Sequence, residues 1–208
     1  FVFSHNFSPI LVLFLIYFKN IQKELYFPLR VISGTSRGST LFSLDGSLTR
    51  PTTDRVKEAM FSMIQFDIPE STVLDLFAGS GALGIEALSR GARHCDFVEQ
   101  NAEAAEIVKK NLEKTRLYPL SGLYNTTAQQ YLSTCRKKYD IILLDPPYGK
   151  ELCSFAISEI IKMGLASENA LFVCETAADE PPFPAGRRKR YGKTAVTVIR
   201  ADEIAGGE

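Results

Sequence analysis

From Leu29 onward the apolar positions fall into short runs that alternate with stretches of helical periodicity. Leu29–Ser33 and Thr40–Leu44 flank Gly34-Thr35-Ser36-Arg37-Gly38 and predict a small hairpin, with residues 29–48 as an N-terminal extension. Pro51 and Thr52 open a predicted helix whose apolar residues, Val56, Met60, Met63 and Ile64, recur on one face. Strand Val73–Phe77 then leads through Ala78-Gly79-Ser80-Gly81 into helix Ala82–Arg90, closed by Gly91. Strand Cys95–Glu99 precedes a helix from Asn101 with Ala105, Val108 and Leu112 on one face. Strand Leu120–Tyr124, a helix around Ala128–Cys135, strand Asp140–Leu144 and a helix to about Met163 follow. Strand Ala170–Glu175 and a terminal pair, Lys189–Tyr191 and Ala195–Arg200, complete the pattern. Strands separated by helices predict an α/β fold, a mostly parallel sheet with helices on both faces.

The first 28 residues break this pattern. Phe7–Phe18 is almost wholly apolar but only about half of the roughly 20 residues that span a bilayer. A secretory core is the competing reading, yet no basic residue precedes the run and Lys19, Asn20 and Lys23 follow it where small residues are needed. Residues 1–28 are therefore expected to be an apolar leader outside the fold, with residues 29–208 as one domain.

Composition narrows the class without naming a task. The 208 residues are 45% hydrophobic and 23% charged, which suits a soluble globular domain and excludes collagen, a disordered tail or a disulfide miniprotein. Lys plus Arg and Asp plus Glu both number 24, so any attraction to nucleic acid must come from local clusters rather than bulk charge. Cys95, Cys135, Cys153 and Cys174 form no C-x-x-C pair, and His5 and His94 have no second ligand near them in sequence. Reduced, buried thiols in a cytoplasmic protein are expected, with no metal site.

Chemistry concentrates at two strand ends. Asp75-Leu-Phe-Ala-Gly79-Ser-Gly81 sits where a strand turns into a helix; glycines let a ligand approach the backbone, and the helix start offers free N–H groups. Gly79-x-Gly81-x-x-Gly84 also satisfies the dinucleotide fingerprint, so an NAD reading stands beside others. Glu99, ending the next strand, occupies the place from which a carboxylate accepts both hydroxyls of a ribose. Asp75 favours S-adenosylmethionine over a dinucleotide, because a carboxylate attracts the methionine ammonium and repels a pyrophosphate.

Asp145-Pro146-Pro147-Tyr148 ends a later strand. The prolines fix the chain and remove N–H donors, leaving carbonyls as acceptors. The Asp145 carboxylate and the Pro146 carbonyl can hold the two hydrogens of a base's exocyclic amine and stabilise charge growing on nitrogen as a methyl arrives. Tyr148 offers a face for an extruded base.

DLFAGSG at 75–81 and DPPY at 145–148 resemble two motifs of methyltransferases that act on exocyclic amines of bases. More narrowly, RVISG at 30–34, Arg37-Gly38, RPTTDR at 50–55, DLFAGSGALGIEALSRGA and Tyr191-Gly192-x-Thr194 resemble the RsmD family of bacterial 16S rRNA guanine-N2 methyltransferases, over about Leu29–Arg200. The resemblance implies a class I S-adenosylmethionine-dependent methyltransferase fold (Rossmann-like), with seven strands and the last antiparallel. It implies a guanine of 16S rRNA within the 30S subunit or a late assembly intermediate, and a monomer with no membrane partner. On this reading Asp145, Pro146 and Tyr148 are catalytic. Asp75, Phe77, Ala78, Gly79, Ser80, Gly81, Glu99, Gln100, Ala128 and Asp145 bind cofactor, with Arg50 and Thr52 at the mouth. Thr127 stands where the family carries an acid for the adenine amino group, a departure from the pattern.

RNA contacts are expected from Arg30 and Arg37 of the hairpin, from Arg50, Arg55 and Lys57, and from the densest basic run, Arg187, Arg188, Lys189 and Arg190. Arg136-Lys137-Lys138 is expected to serve solubility. Competing readings are a DNA adenine-N6 methyltransferase, a non-catalytic RNA-binding assembly factor that keeps a cofactor pocket, and a hydride-transfer enzyme, in which DPPY has no task.

Overall fold

The computed structural model describes residues 29–44, 54–147 and 151–205. The leader, Arg50, Thr52 and Tyr148 lie outside the described residues. Helix α1 (Asp54–Met63) precedes β1 (Thr72–Asp75), α2 (Ala82–Ser89), β2 (His94–Val98), α3 (Ala102–Thr115), β3 (Ser121–Tyr124) and α4 (Ala128–Thr134). Then come β4 (Tyr139–Leu144), α5 (Leu152–Lys162), β5 (Ala166–Ala177), β6 (Arg187–Tyr191), β7 (Thr194–Arg200) and α6 (Ala201–Ala205).

The strands form one seven-stranded sheet in the order β3-β2-β1-β4-β5-β7-β6. β1 through β5 are parallel, and β7 runs antiparallel to both β5 and β6, so the antiparallel last strand is present. Successive side chains on a strand face opposite ways, which divides the core into two layers. Val73, Phe97, Ile141, Leu143, Val173 and Val198 pack on one face with α1, α2 and α3. Leu74, Val98, Ile142, Leu144, Cys174 and Ile199 pack on the other with α4 and α5. Each such fully buried side chain contributes about 1.5–3 kcal/mol. The four cysteines are buried and free. Among the described residues no helix is long and apolar enough to cross a membrane.

Three details differ from the expected pattern. The N-terminal hairpin forms only an isolated antiparallel bridge, Arg30↔Thr40, with Val31 N–H donating to the Ser39 carbonyl (2.9 Å) and Leu41 N–H to the Leu29 carbonyl (2.6 Å), and the chain between its arms is bonded to α2. Glu86 of α2 accepts the N–H groups of Ile32 (2.7 Å) and Ser33 (3.0 Å), and Ser89 accepts those of Thr35 and Ser36. Gly34, at φ +85°, lies so close to the Ser89 carbonyl that a Cβ would come within 1.7 Å of it. β5 starts earlier than its apolar run suggests, since Ala166 pairs with Tyr139 before an irregularity that leaves Glu168 and Asn169 exposed. Lys137 is no mere solubilising cation. Its ammonium lies 2.7 Å from the carboxylate of Asp96, a fully buried acid that also accepts the hydroxyls of Tyr131 and Tyr139. Burial pushes the Asp96 carboxyl up, but bonds from Lys137, Tyr139 and His94 outweigh it and hold the group below its ordinary range.

Candidate cofactor and substrate site

The strand order reverses beside β1, whose chain continues toward β2 on one side while β4 lies on the other. In open sheets of this kind ligands bind outside the carboxyl ends of the strands at such a switch point. The glycine loop leaves β1, Glu99 follows β2 directly, and Asp145-Pro146-Pro147 follows β4.

In the loop, Gly79 and Gly81 adopt left-handed backbone at φ +54° and +78°, where side chains other than glycine are strained. Ala78 N–H donates to the Val98 carbonyl (3.0 Å) and Gly81 N–H to the Ala78 carbonyl (2.6 Å), which fixes the turn against β2. A Cβ on Gly79 would meet no protein atom within 4 Å, so the loop presents bare backbone to open space. Glu99 accepts Gly79 N–H (2.8 Å) at one carboxylate oxygen and Asn101 N–H (2.7 Å) at the other. A carboxylate offers about four lone-pair positions, so both oxygens keep acceptor capacity for hydroxyls. Ser80 and Phe77 are half-buried beside the loop, and Gln100 is exposed next to Glu99.

Asp75 is only 1% exposed, at the end of β1 beneath the loop. Its carboxylate accepts the N–H of Gly84 in the first turn of α2 (2.9 Å). Burial pushes its pKa up to about 7; the Gly84 bond opposes this and the charge of Glu99 adds to it. Thr127 caps α4, its hydroxyl accepting Gln130 N–H (3.2 Å), with Ala128 as the first helical residue. Asn125 donates to the carbonyls of Glu99 (2.8 Å) and Gln100 (3.2 Å), which brings this turn against the Glu99 turn.

On the β4 side, Asp145 is half-buried, Pro146 buried and Pro147 exposed. A cleft of about 370 Å³ opens beyond Asp145, walled by Pro146, Pro147, Ser154, Glu175, Glu180 and Pro182 among others. It lies between the end of β4, the start of α5 and the connection that follows β5.

The basic residues do not act as one strip. Arg37, Arg55, Lys189 and Arg190 are exposed. Arg30 pairs with Asp54 (2.7 Å), Arg187 donates to the Met63 carbonyl (2.8 Å), and the guanidinium of Arg188 is turned onto protein carbonyls.

Two buried polar residues that the sequence pattern did not single out hold neighbouring segments in place, Asn111 the loop and Glu86 the 32–33 segment. Asn111 of α3 donates to the carbonyls of Ser80 (2.8 Å) and Phe42 (3.0 Å) and accepts Phe42 N–H (2.8 Å). Glu86 ties the 32–33 segment to α2, and Lys57 of α1, expected to meet RNA, is instead fully buried, 3.5 Å from Glu86 and donating to the Arg30 carbonyl. Their only sequence signal was a polar residue within a helical stretch, which reads as surface.

The sheet order, the loop after β1 and the acid after β2 define a class I methyltransferase fold. The family model described as Conserved hypothetical protein 95 matches residues 29–200, and the chain belongs to this family, the RsmD family. Among its relatives, ribosomal RNA small subunit methyltransferase D of Haemophilus influenzae is 37% identical over 155 residues, 73% of this chain and 80% of that protein. YlbH of Bacillus subtilis, assigned provisionally as an rRNA methyltransferase, is 38% identical over 181 residues, 83% of this chain and 98% of that protein. The solved structure of yhhF from Escherichia coli, assigned provisionally as a methyltransferase, superposes with a TM-score of 0.74 at 30% identity, covering 83% of this chain and 97% of that one.

Proposed function

We propose that this protein transfers a methyl group from S-adenosylmethionine to the exocyclic N2 amine of a guanine in 16S rRNA, presented by the 30S subunit or a late assembly intermediate. The observation that carries the reading is the convergence, on the adjacent strands β2, β1 and β4, of Glu99, the bare glycine loop and Asp145-Pro146. The names of relatives, ribosomal RNA small subunit methyltransferases, support rRNA as the substrate.

The residues fit an adenosine-type cofactor that carries an ammonium. The open space over Gly79 admits it, the free acceptor positions of Glu99 suit ribose hydroxyls, and Asp75 suits the ammonium. Phe77, Ala78, Ser80, Gly81 and Gln100 line that approach, and Thr127 and Ala128 border the adenine side. When bound, the cofactor supplies an electrophilic methyl group. The Asp145 carboxylate and the Pro146 carbonyl accept the two amine hydrogens of the base. This aims the nitrogen lone pair and stabilises the positive charge that grows on nitrogen during an in-line displacement. Asp145 then takes up a proton from the methylated amine. No covalent enzyme intermediate is required. Tyr148 would stack on the base, Arg50 and Thr52 would border the mouth, and Arg37, Arg55, Lys189 and Arg190 would meet phosphates.

Asp145→Ala tests the assignment. Methyl transfer is expected to fall below detection while calorimetric affinity for S-adenosylmethionine stays within about twofold, a free-energy change under about 0.5 kcal/mol. Equal loss of both would contradict the role given to Asp145.

A further inference from the structure

The connection between β5 and β6, residues 178–186, forms the outer wall of the cleft through Glu180, Pro181 and Pro182. It contains three prolines, Pro181, Pro182 and Pro184, and so has few N–H groups with which to hold itself in place. Its own backbone supplies two bonds near its start, Ala178 N–H to the Lys193 carbonyl (2.9 Å) and Glu180 N–H to the Ala177 carbonyl (3.1 Å). Phe183 and Ala185 pack against the core, and two side chains on opposite sides add hydrogen bonds. From α5, the Ser154 hydroxyl donates to the Pro182 carbonyl (2.8 Å). From β6, the half-buried Arg188 donates to the carbonyls of Ala177 (3.0 Å), Ala178 (3.2 Å) and Glu180 (3.3 Å), and to the Thr197 hydroxyl (3.3 Å).

A guanidinium is the one side chain with enough donors, in a rigid fork, to satisfy several carbonyls at once. We infer that Arg188 is a positioning residue: it fastens the outer wall of the cleft that receives the substrate base, and it is not one of the cations that meet RNA phosphate. This rests on the proposed function: Asp145 and Pro146 hold the amine of the base, and Pro146 also walls the cleft, which puts the cleft on the substrate side. Arg188 thus acts through the wall, on the placement of the base relative to Asp145. A small misplacement at such a site is costly in turnover, because the reacting atoms must be held in near-attack geometry.

The test uses the full-length protein and the variants Arg188→Lys, Arg188→Gln and Lys189→Ala. Turnover on 30S subunits is measured across a range of salt, together with calorimetric affinity for S-adenosylmethionine and hydrogen exchange at the amides of 178–180. Lysine keeps the charge but cannot reach three carbonyls. Positioning therefore predicts that Arg188→Lys and Arg188→Gln both lose at least about tenfold in kcat, with cofactor affinity and the salt slope of KM unchanged. It also predicts faster exchange at 178–180 in both variants and not in Lys189→Ala. A phosphate contact predicts instead that Arg188→Lys behaves as wild type. Arg188→Gln would then raise KM alone and flatten its salt slope by about 0.7–0.9, the pattern expected of Lys189→Ala. That second outcome, or faster exchange with kcat unchanged, would overturn the inference. A wild-type protein inactive on 30S subunits would instead remove the reading beneath it. The exchange experiment would still decide whether Arg188 holds the wall, and unchanged exchange would overturn it there too.

Discussion

Asp75→Asn isolates the acid beneath the glycine loop. The folded carboxyl titrates near 7 and the unfolded one near 3.8. Between these values the folded state binds a proton that the unfolded state has released. Stability from this group is therefore fully present below the unfolded pKa and is lost as pH rises through the folded pKa. The shift of about three units corresponds to at most about 4 kcal/mol, at about 1.4 kcal/mol per unit. Asparagine is nearly isosteric, keeps an oxygen to accept Gly84 N–H, and does not titrate. Urea unfolding of both proteins from about pH 5 to about pH 8 is the assay. The stability of wild type relative to the variant should fall by about 1.4 kcal/mol per unit below about pH 7, then level off. A baseline offset between the two proteins is immaterial; the slope decides. A difference constant to within about 0.5 kcal/mol across the range would mean that Asp75 is already ionised in the folded state, against the raised pKa. The same titration reaches the cofactor: affinity for S-adenosylmethionine should rise with pH through about 7 in wild type and stay flat in Asp75→Asn, because only the ionised carboxylate attracts the ammonium.

Other perturbations follow from the geometry. Glu86→Ala strands the Ile32 and Ser33 N–H groups and leaves the buried Lys57 ammonium without its nearest anion, so urea unfolding should show a loss of about 3–5 kcal/mol. Burial already lowers the Lys57 pKa against the opposing pull of Glu86, and the variant should lower it further. Gly84→Ala places a Cβ 2.3 Å from the buried Phe97 ring and 2.7 Å from the Cys95 sulfur, so thermal unfolding should register a loss of about 1–3 kcal/mol.

The alternation of apolar runs and helical periodicity was enough to reveal the sheet and its covering helices, because each strand's side chains divide between two buried faces. The loop after β1 was legible for a local reason: its glycines, its acid and the helix start are contiguous. What remained hidden joins distant segments. Glu86 reaches the 32–33 segment and Asn111 reaches Phe42 and Ser80 across tens of residues, and neither bond leaves a trace in spacing. In sequence Arg188 belongs to a cationic run, because composition shows charge but not direction. On β6 its neighbours in sequence face the other way, and only the fold reveals that its own guanidinium turns inward. Thr127 shows the same limit: its place after β3 was legible, but its hydroxyl caps α4.

The most direct test of the proposed activity incubates the protein with tritiated S-adenosylmethionine and 30S subunits that lack the modification, followed by nucleoside analysis of the RNA. Label is expected in 16S rRNA as N2-methylguanosine. Label absent from 30S subunits but present in duplex DNA as N6-methyladenine would contradict the substrate, and label in neither would contradict the enzyme.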